Sequence, residues 1–207
     1  MATVVTMLDT VTAWVQANIC DKIKLKKPPL DEVDATDEGY AYELITPHAF
    51  AFFVPTQDKI ALPAVAPMPS VCVRITDGAA DFAAGRNDIT FELCFSTWST
   101  GTHGKDIFIP IDRNTFRQMS DKDAARYFEK NGDGWRDAWN MIDIALRELG
   151  NATHIDGIEI DKSVPVKYAP LKEQEAIPDY YPFWFATLSF AVKIPILPNM
   201  ADTRQFL

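Results

Sequence analysis

The chain has 207 residues, of which 47% are apolar and 12% aromatic, enough for one sizeable core without staples and too apolar for a disordered chain. Its formal net charge of -9 excludes a surface built to neutralise nucleic-acid phosphates.

The chain opens with Val4, Leu8, Val11, Val15 and Ile19 at spacings of three and four, with Trp14 and Ile23 beside the stripe, which predicts an amphipathic helix. Thr3 serves as its cap, Lys22, Lys24, Lys26 and Lys27 suit the negative end of its dipole, and Pro28-Pro29 ends it. An acidic run follows, with Asp31, Glu32, Asp34, Asp37, Glu38 and Glu43 and no Lys or Arg among them. It reads as a solvated loop or, more sharply, as a negative face turned toward a lumen or a basic partner. Residues 40–54 are two extended runs broken at Pro47, and Pro55, Pro63, Pro67 and Pro69 keep 55–69 out of regular structure.

Residues 70–76 alternate as a strand, with Val71, Val73 and Ile75 on one face and Cys72 and Arg74 on the other. Asp77-Gly78 is expected to begin a long turn through Gly85. Ile89, Phe91, Leu93 and Phe95 then mark the clearest strand, antiparallel to the first. Residues 99–130 read mainly as loop or insertion, with a short apolar run Ile107-Phe108-Ile109 and a short helix over 124–130.

The strongest helix is expected over 135–149, with Trp135, Ala138, Trp139, Ile142, Ala145, Leu146 and Leu149 on one face, Asp133 at its start and Gly150 at its end. Two tryptophans on that face predict a thick contact with a sheet. Short strands follow around Ile155, Ile158 and Ile160, then an edge strand over 164–168 that Pro165 demotes, and a polar connection over 169–179. A long strand over 183–194 places Trp184, Ala186, Leu188, Phe190, Val192 and Ile194 on one side, and 197–207 is a tail. Helix, strands, helix, strands makes a single α+β domain with a mostly antiparallel sheet and helices on one face. Residues 26–68 and 99–130 are its loop or insertion segments.

Glu129, Asn131, Asp133 and Gly134 imitate the start of a helix-loop-helix calcium loop. The closing position, which needs a bidentate Glu, is Asn140, so these residues read as a capped helix start. His48, His103 and His154 lie far apart, and neither they nor Cys20, Cys72 and Cys94 have zinc-ligand spacing. The cysteines, odd in number and without a CxxC pair, read as buried reduced thiols. No nucleophile elbow or phosphate cradle is present, and nothing sets two of Asp121, Asp123, Asp156 and Asp161 at a working separation. Asn151-Ala152-Thr153 is a formal glycosylation sequon, but the first residues lack the basic region of a signal peptide. No run reaches the roughly 18 apolar residues of a membrane span. The expectation is a soluble, cytoplasmically made protein that is not an enzyme and needs no cofactor. What stands out is 13 Phe, 5 Trp and 6 Tyr, more rings than one helical layer covers. The simplest use for the surplus is contact between subunits; an aromatic-rich core wrapped by loops is the plainer alternative.

The second half also carries a resemblance. Asp133-Gly134-Trp135-Arg136-Asp137-Ala138-Trp139-Asn140-Met141-Ile142, closing at Leu149-Gly150, precedes Ile-rich strands. Tyr181-Pro182-Phe183-Trp184-Phe185-Ala186-Thr187-Leu188-Ser189-Phe190 and an Ile194-Pro195 ending come after them. This resembles the tail terminator (tail completion) proteins of long-tailed bacteriophages and tail-like particles, in which a "dG-(Y/W)-x-D" helix precedes an aromatic "YP-x-(W/Y)" strand. Pro69-Ser70-Val71-Cys72-Val73-Arg74-Ile75, Ile89-Thr90-Phe91-Glu92-Leu93 and the opening helix fall where that family has counterparts. Ala186 stands where a glycine is common, and 26–68 and 99–130 find no match. The resemblance covers 1–25 loosely and 69–196 better, and rests on hydrophobic pattern and a few aromatics.

It implies a homohexameric ring, located in a virion tail or tail-like particle, that caps the tail tube and halts its polymerisation. The ring would offer a docking face to a head-tail connector or neck protein, and meet the sheath if the particle is contractile. DNA would pass its bore without being gripped, which the acidic balance suits. Candidate interface or bore-facing positions are Asp31, Glu32, Asp34, Asp37, Glu38, Phe206 and Leu207. The competing readings are another neck or baseplate adaptor, a carbohydrate-binding module using Trp98, Trp135 or Trp184, and a hydrolase built on the histidines.

Overall fold

A computed structural model of the protein describes residues 3–28, 43–60, 65–99, 108–110, 116–118, 134–173 and 176–196. The first helix, α1 (Val4–Asn18), starts at Thr3 through a reciprocal capping box. The Thr6 amide donates to the Thr3 hydroxyl at 3.1 Å and the Thr3 amide to the Thr6 hydroxyl at 2.8 Å. Its buried stripe is Met7, Val11, Val15 and then Ile19, a strict spacing of four, while Val4 is exposed. The helix ends earlier than the lysines require. Ile19 and Cys20 are both fully buried just past its end. The chain tightens into a 3-10 turn at Cys20–Lys22, and no basic residue lies in the last turn of α1.

Two short strands, β1 (Leu25–Lys26) and β2 (Leu44–Ile45), pair antiparallel. The main sheet holds β3 (His48–Ala51), β4 (Ser70–Asp81), β5 (Arg86–Trp98), β8 (His154–Ile155), β9 (Ile158–Ile160), β10 (Lys167–Pro170) and β11 (Phe183–Pro195). Its order is β3-β4-β5-β11-β9-β8, with β10 also on β11. Between them in sequence come the hairpin β6 (Phe108–Pro110) with β7 (Phe116–Gln118) and the second helix, α2 (Gly134–Asn151). The sheet is antiparallel apart from β3, which runs parallel to β4. The domain is α+β, as the sequence pattern predicts.

The core follows from alternation. Val73 faces Leu93 and Leu93 faces Leu188 across the strands; Ile75, Phe91 and Phe190 form the next row. These side chains therefore share one face, and both helices pack on it. From α1 come Met7, Val11, Val15 and Ile19; from α2 come Ala138, Met141, Ile142, Ala145 and Leu149. Phe91 and Phe190 stack at 5.8 Å between centroids. Each fully buried side chain of this size contributes about 1.5–3 kcal/mol, so the β5–β11 pair under α2 dominates stability.

Several expectations need correcting. β4 does not turn at Asp77-Gly78: its register shifts between Ile75 and Asp77, and pairing resumes as far as Asp81 opposite Arg86. One extra residue at a bulge lets both strands continue, so the reversal is a short turn closed by Gly85 at φ 65°. Gly150 lies inside α2. The helix end is completed by the Lys162 ammonium, which donates to the carbonyls of Leu149 and Gly150. Met141 is buried, whereas Trp135 is exposed, so only part of the tryptophan face meets the sheet. The edge strand begins at Lys167 and includes Pro170. The loop segment 99–130 contains β6 and β7; the expected helix at 124–130 and the tail 197–207 lie outside the described residues.

Candidate assembly interface

The motif residues converge on one groove. The first turns of α2 supply Trp135, Ala138 and Trp139; the end of β10 supplies Pro170 and Leu171; the connection to β11 supplies Ile177, Pro178, Asp179 and Tyr180; β11 opens with Phe183, Trp184 and Phe185. Together they line a cavity of about 410 Å³. Its walls are held by ring contacts: Tyr180 meets Phe185 edge-on at 5.6 Å, Tyr181 meets Trp184 at 6.3 Å, and Trp139 meets Tyr168 at 6.0 Å. Arg136 lies 5.1 Å over the Trp135 ring. Two of the groove's rings have their polar edges engaged. Trp184 Nε1 donates to the Ser99 carbonyl at 3.2 Å, and the Tyr180 hydroxyl donates to the Glu173 carboxylate. That carboxylate holds the Tyr180 hydroxyl above its ordinary pKa.

The rim is apolar and open. Ile177 is 66% exposed, Tyr168 and Tyr181 51%, and Trp135 43%. Exposed apolar side chains rimming a groove are the kind of surface from which docking sites are built.

Two further surfaces share this character. After β3 the Phe53 amide donates to the Ala51 carbonyl at 2.8 Å around Phe52, whose φ is 69°. This is the rarer, strained form of the γ-turn, held by a bulky residue, and it leaves Phe52 and Phe53 62% and 67% exposed. The second is a ribbon formed where β4 and β5 run past the bulge; residues 76–84 are all exposed, and Phe82 at the tip is 78% exposed. Sequence reasoning missed Tyr168, Ile177 and the Phe52-Phe53 pair. A signal for the last existed in the unbroken apolar run before Pro55.

The sheet face opposite the helices holds Cys72 directly across from Cys94 and Arg74 across from Glu92, the latter pair at 3.5 Å. All three cysteines are unpaired. Burial, with the Asp21 carboxylate adding, pushes Cys20 up to about 12. Burial also raises Cys72 to about 11 and Cys94 above its ordinary value. Thiols held this high are not nucleophiles at neutral pH.

The residues weighed for other chemistry are dispersed. His48 is half-buried at the start of β3, edge-on to Phe50 at 4.7 Å, and burial lowers its pKa against the pull of Asp21. His154 is exposed on β8, beside the Thr153 hydroxyl. Asp156 occupies the β8–β9 turn at φ 44°. Asp161 is 2.8 Å from Lys193 and accepts from the Ser163 hydroxyl at 2.6 Å. These contacts, Lys193 first, hold its carboxyl at about 2. Among the described residues no three His, Cys, Asp or Glu side chains are grouped to hold a metal. His103, Asp121, Asp123, Glu129, Asn131 and Asp133 lie outside the described residues. So do the proposed interface positions Asp31, Glu32, Asp34, Asp37, Glu38, Phe206 and Leu207. Trp98, weighed as an exposed sugar platform, is 4% exposed; it lies opposite Phe183 in the sheet, and this correction removes it from any binding surface. Among the described residues no helix is long and apolar enough to cross a membrane.

Comparison with protein-family models and with curated protein sequences returns no match.

Proposed function

We propose that this chain is a structural tail terminator: a subunit of a ring that caps a tail tube, halts its growth and presents a docking face to the neck or head. The observation that carries the reading is that the residues of the two resemblance motifs meet in three dimensions. Trp135 and Trp139 of the helix motif and Phe183 to Phe185 of the strand motif line one aromatic groove whose rim is exposed. A catalytic groove needs unsatisfied, convergent polar groups. Here the ring hydroxyl and indole N–H of Tyr180 and Trp184 are spent on Glu173 and Ser99. The partners on this reading are further copies of the chain, probing a hexamer first, then the tube protein, the neck connector and, in a contractile particle, the sheath. DNA passes through without specific binding, and no cofactor takes part.

The test is assembly. Purified protein is run by sedimentation velocity and negative-stain microscopy, alone and with purified tail tubes. Rings, or density confined to tube ends, are the expected result. A chain that stays monomeric and ignores tube ends ends the proposal, and decoration along the neck or baseplate instead moves it to the adaptor reading.

A further inference from the structure

The sheet face turned away from both helices carries two thiols that neither the core cluster nor the groove uses. Cys72 on β4 stands directly across from Cys94 on β5, so both side chains project from one face. The row on one side is Ser70 with Ser96, their hydroxyls 2.7 Å apart, and the row on the other is Arg74 with Glu92. Phe50 of β3 and Thr187 of β11 flank the pair along its own row. Cys72 is 7% exposed and Cys94 half-buried, which shelters the pair and leaves one sulfur within reach of solvent.

Strand geometry decides what the two sulfurs can do. The amides of His48 and Phe52 donate to the carbonyls of Pro69 and Val73. The odd-numbered residues of this stretch thus turn their polar backbone groups toward β3, and Cys72 turns its own toward β5. The Ser99 amide donates to the Pro182 carbonyl just before β11, and by the same alternation Cys94 faces back toward β4. Cys72 and Cys94 are therefore a hydrogen-bonded pair, with Cα atoms about 5.5 Å apart. Their Cβ atoms lie toward the upper end of about 4.5–5.5 Å, whereas a disulfide needs about 3.5–4.5 Å. The pair is too wide to join directly. One cation between the sulfurs fits, because two metal–sulfur bonds of about 2.3 Å span up to about 4.6 Å.

Ligand count selects the cation. Zinc takes four ligands, and among the described residues no third His, Cys, Asp or Glu is grouped with the pair. Two thiolates in line suit a soft monovalent cation of the copper(I) class and leave one negative charge over. Arg74 supplies the answering positive charge. Its guanidinium lies beside the Cys94 sulfur, and its Nε is buried with no hydrogen-bond partner among the described residues. A buried donor is costly when unpaired, and a thiolate is a far better acceptor than a thiol.

We infer that Cys72 and Cys94 form a two-thiolate clamp for one copper(I)-class cation, balanced by Arg74 and pinning β4 to β5. Loading replaces two thiol protons by the cation, releases them to solvent and changes no oxidation state. The clamp is independent of the tail reading.

The probe is copper(I) itself, offered without oxygen to the freshly reduced full chain as its coloured complex with a bicinchoninate chelator. A loss of colour equal to one ion per chain is expected. Cys72→Ser and Cys94→Ser each abolish the capture, Cys20→Ser leaves it unchanged, and Arg74→Gln weakens it about tenfold. Circular dichroism checks that each variant is folded. X-ray absorption of the loaded original chain needs no variant and reads two sulfur neighbours around the copper. An original chain that leaves the colour intact overturns the inference. So does capture that survives loss of either cysteine in a folded variant, capture lost with Cys20, or copper held by one sulfur with nitrogen or oxygen.

Discussion

Ile177 separates folding from assembly more cleanly than any other residue of the groove. It lies on the rim, 66% exposed, in a connection that the core does not depend on, so Ile177→Ser removes little that the folded monomer buries. Substitutions at such positions shift stability by about 0.5 kcal/mol or less. Assembly is another matter. Burying a whole isoleucine side chain is worth about 1.5–3 kcal/mol, and two-thirds of it remains to be covered, so an interface that closes over the rim loses about 1–2 kcal/mol. That corresponds to a roughly 5- to 30-fold weaker association. The measurement pairs a thermal melt with sedimentation velocity over a concentration series. An unchanged melting temperature with weakened association is expected. Association within twofold of the original, with the melt unchanged, refutes the idea that the groove rim is covered in the assembled state.

Other predictions concern the scaffold. Phe91→Ala removes a ring that is fully buried and stacked on Phe190; an equilibrium urea titration should show a loss of about 3–5 kcal/mol. Asp161 is held at about 2 against an ordinary 3.8. A depressed folded pKa means the stabilisation is present above the unfolded value and is lost as pH falls from about 4 toward about 2. Lys193→Met should reduce that acid-dependent loss, which is on the order of 1 kcal/mol after allowance for solvent, and leave the part that the Ser163 contacts sustain, as read from melts at a series of pH values. Gly157→Ala places a side chain at φ 84° in the β8–β9 turn, with open space around it. Its cost, on the order of 1 kcal/mol, is therefore backbone conformation alone, and a melt that does not fall argues that the turn has another shape.

Most of the fold was legible because burial is periodic. β11 shows it best: Ala186, Leu188, Phe190, Val192 and Ile194 are all buried, and their alternation in sequence is enough to assign both the strand and its inner face. α2 was equally plain, and the capped start of α1 was named correctly at Thr3. The boundaries that failed did so where a tertiary requirement overrode local pattern. Gly78 looks like a turn because glycine is permissive, yet pairing with β5 through a bulge carries the strand past it to Asp81. The lysines after α1 look like dipole partners, yet the helix ends at Asn18 and gives way to a 3-10 turn, which leaves its last turn without a basic residue. The parallel placement of β3 left no local trace, because nothing within His48–Ala51 records the direction of a neighbour that begins at Ser70. Only the register in space shows it, with His48 to Ala51 running alongside Ser70 to Val73.

The candidate site was half legible for a related reason. Sequence reports which rings are numerous, whereas exposure depends on what other elements happen to cover. Trp98 and Trp135 look alike in the chain, but Trp98 sits inside β5 against the first residue of β11 while Trp135 stands at the first turn of α2, on the open rim of the groove. Only the second is free to meet another surface. The same physics distinguishes Phe91 from Phe52. Phe91 points into the core from a regular strand, but Phe52 is exposed and has a positive φ, a conformation that costs on the order of 1 kcal/mol or more for such a residue. On the assembly reading, the strained turn at Phe52 is where a partner surface would offset what the isolated fold forgoes.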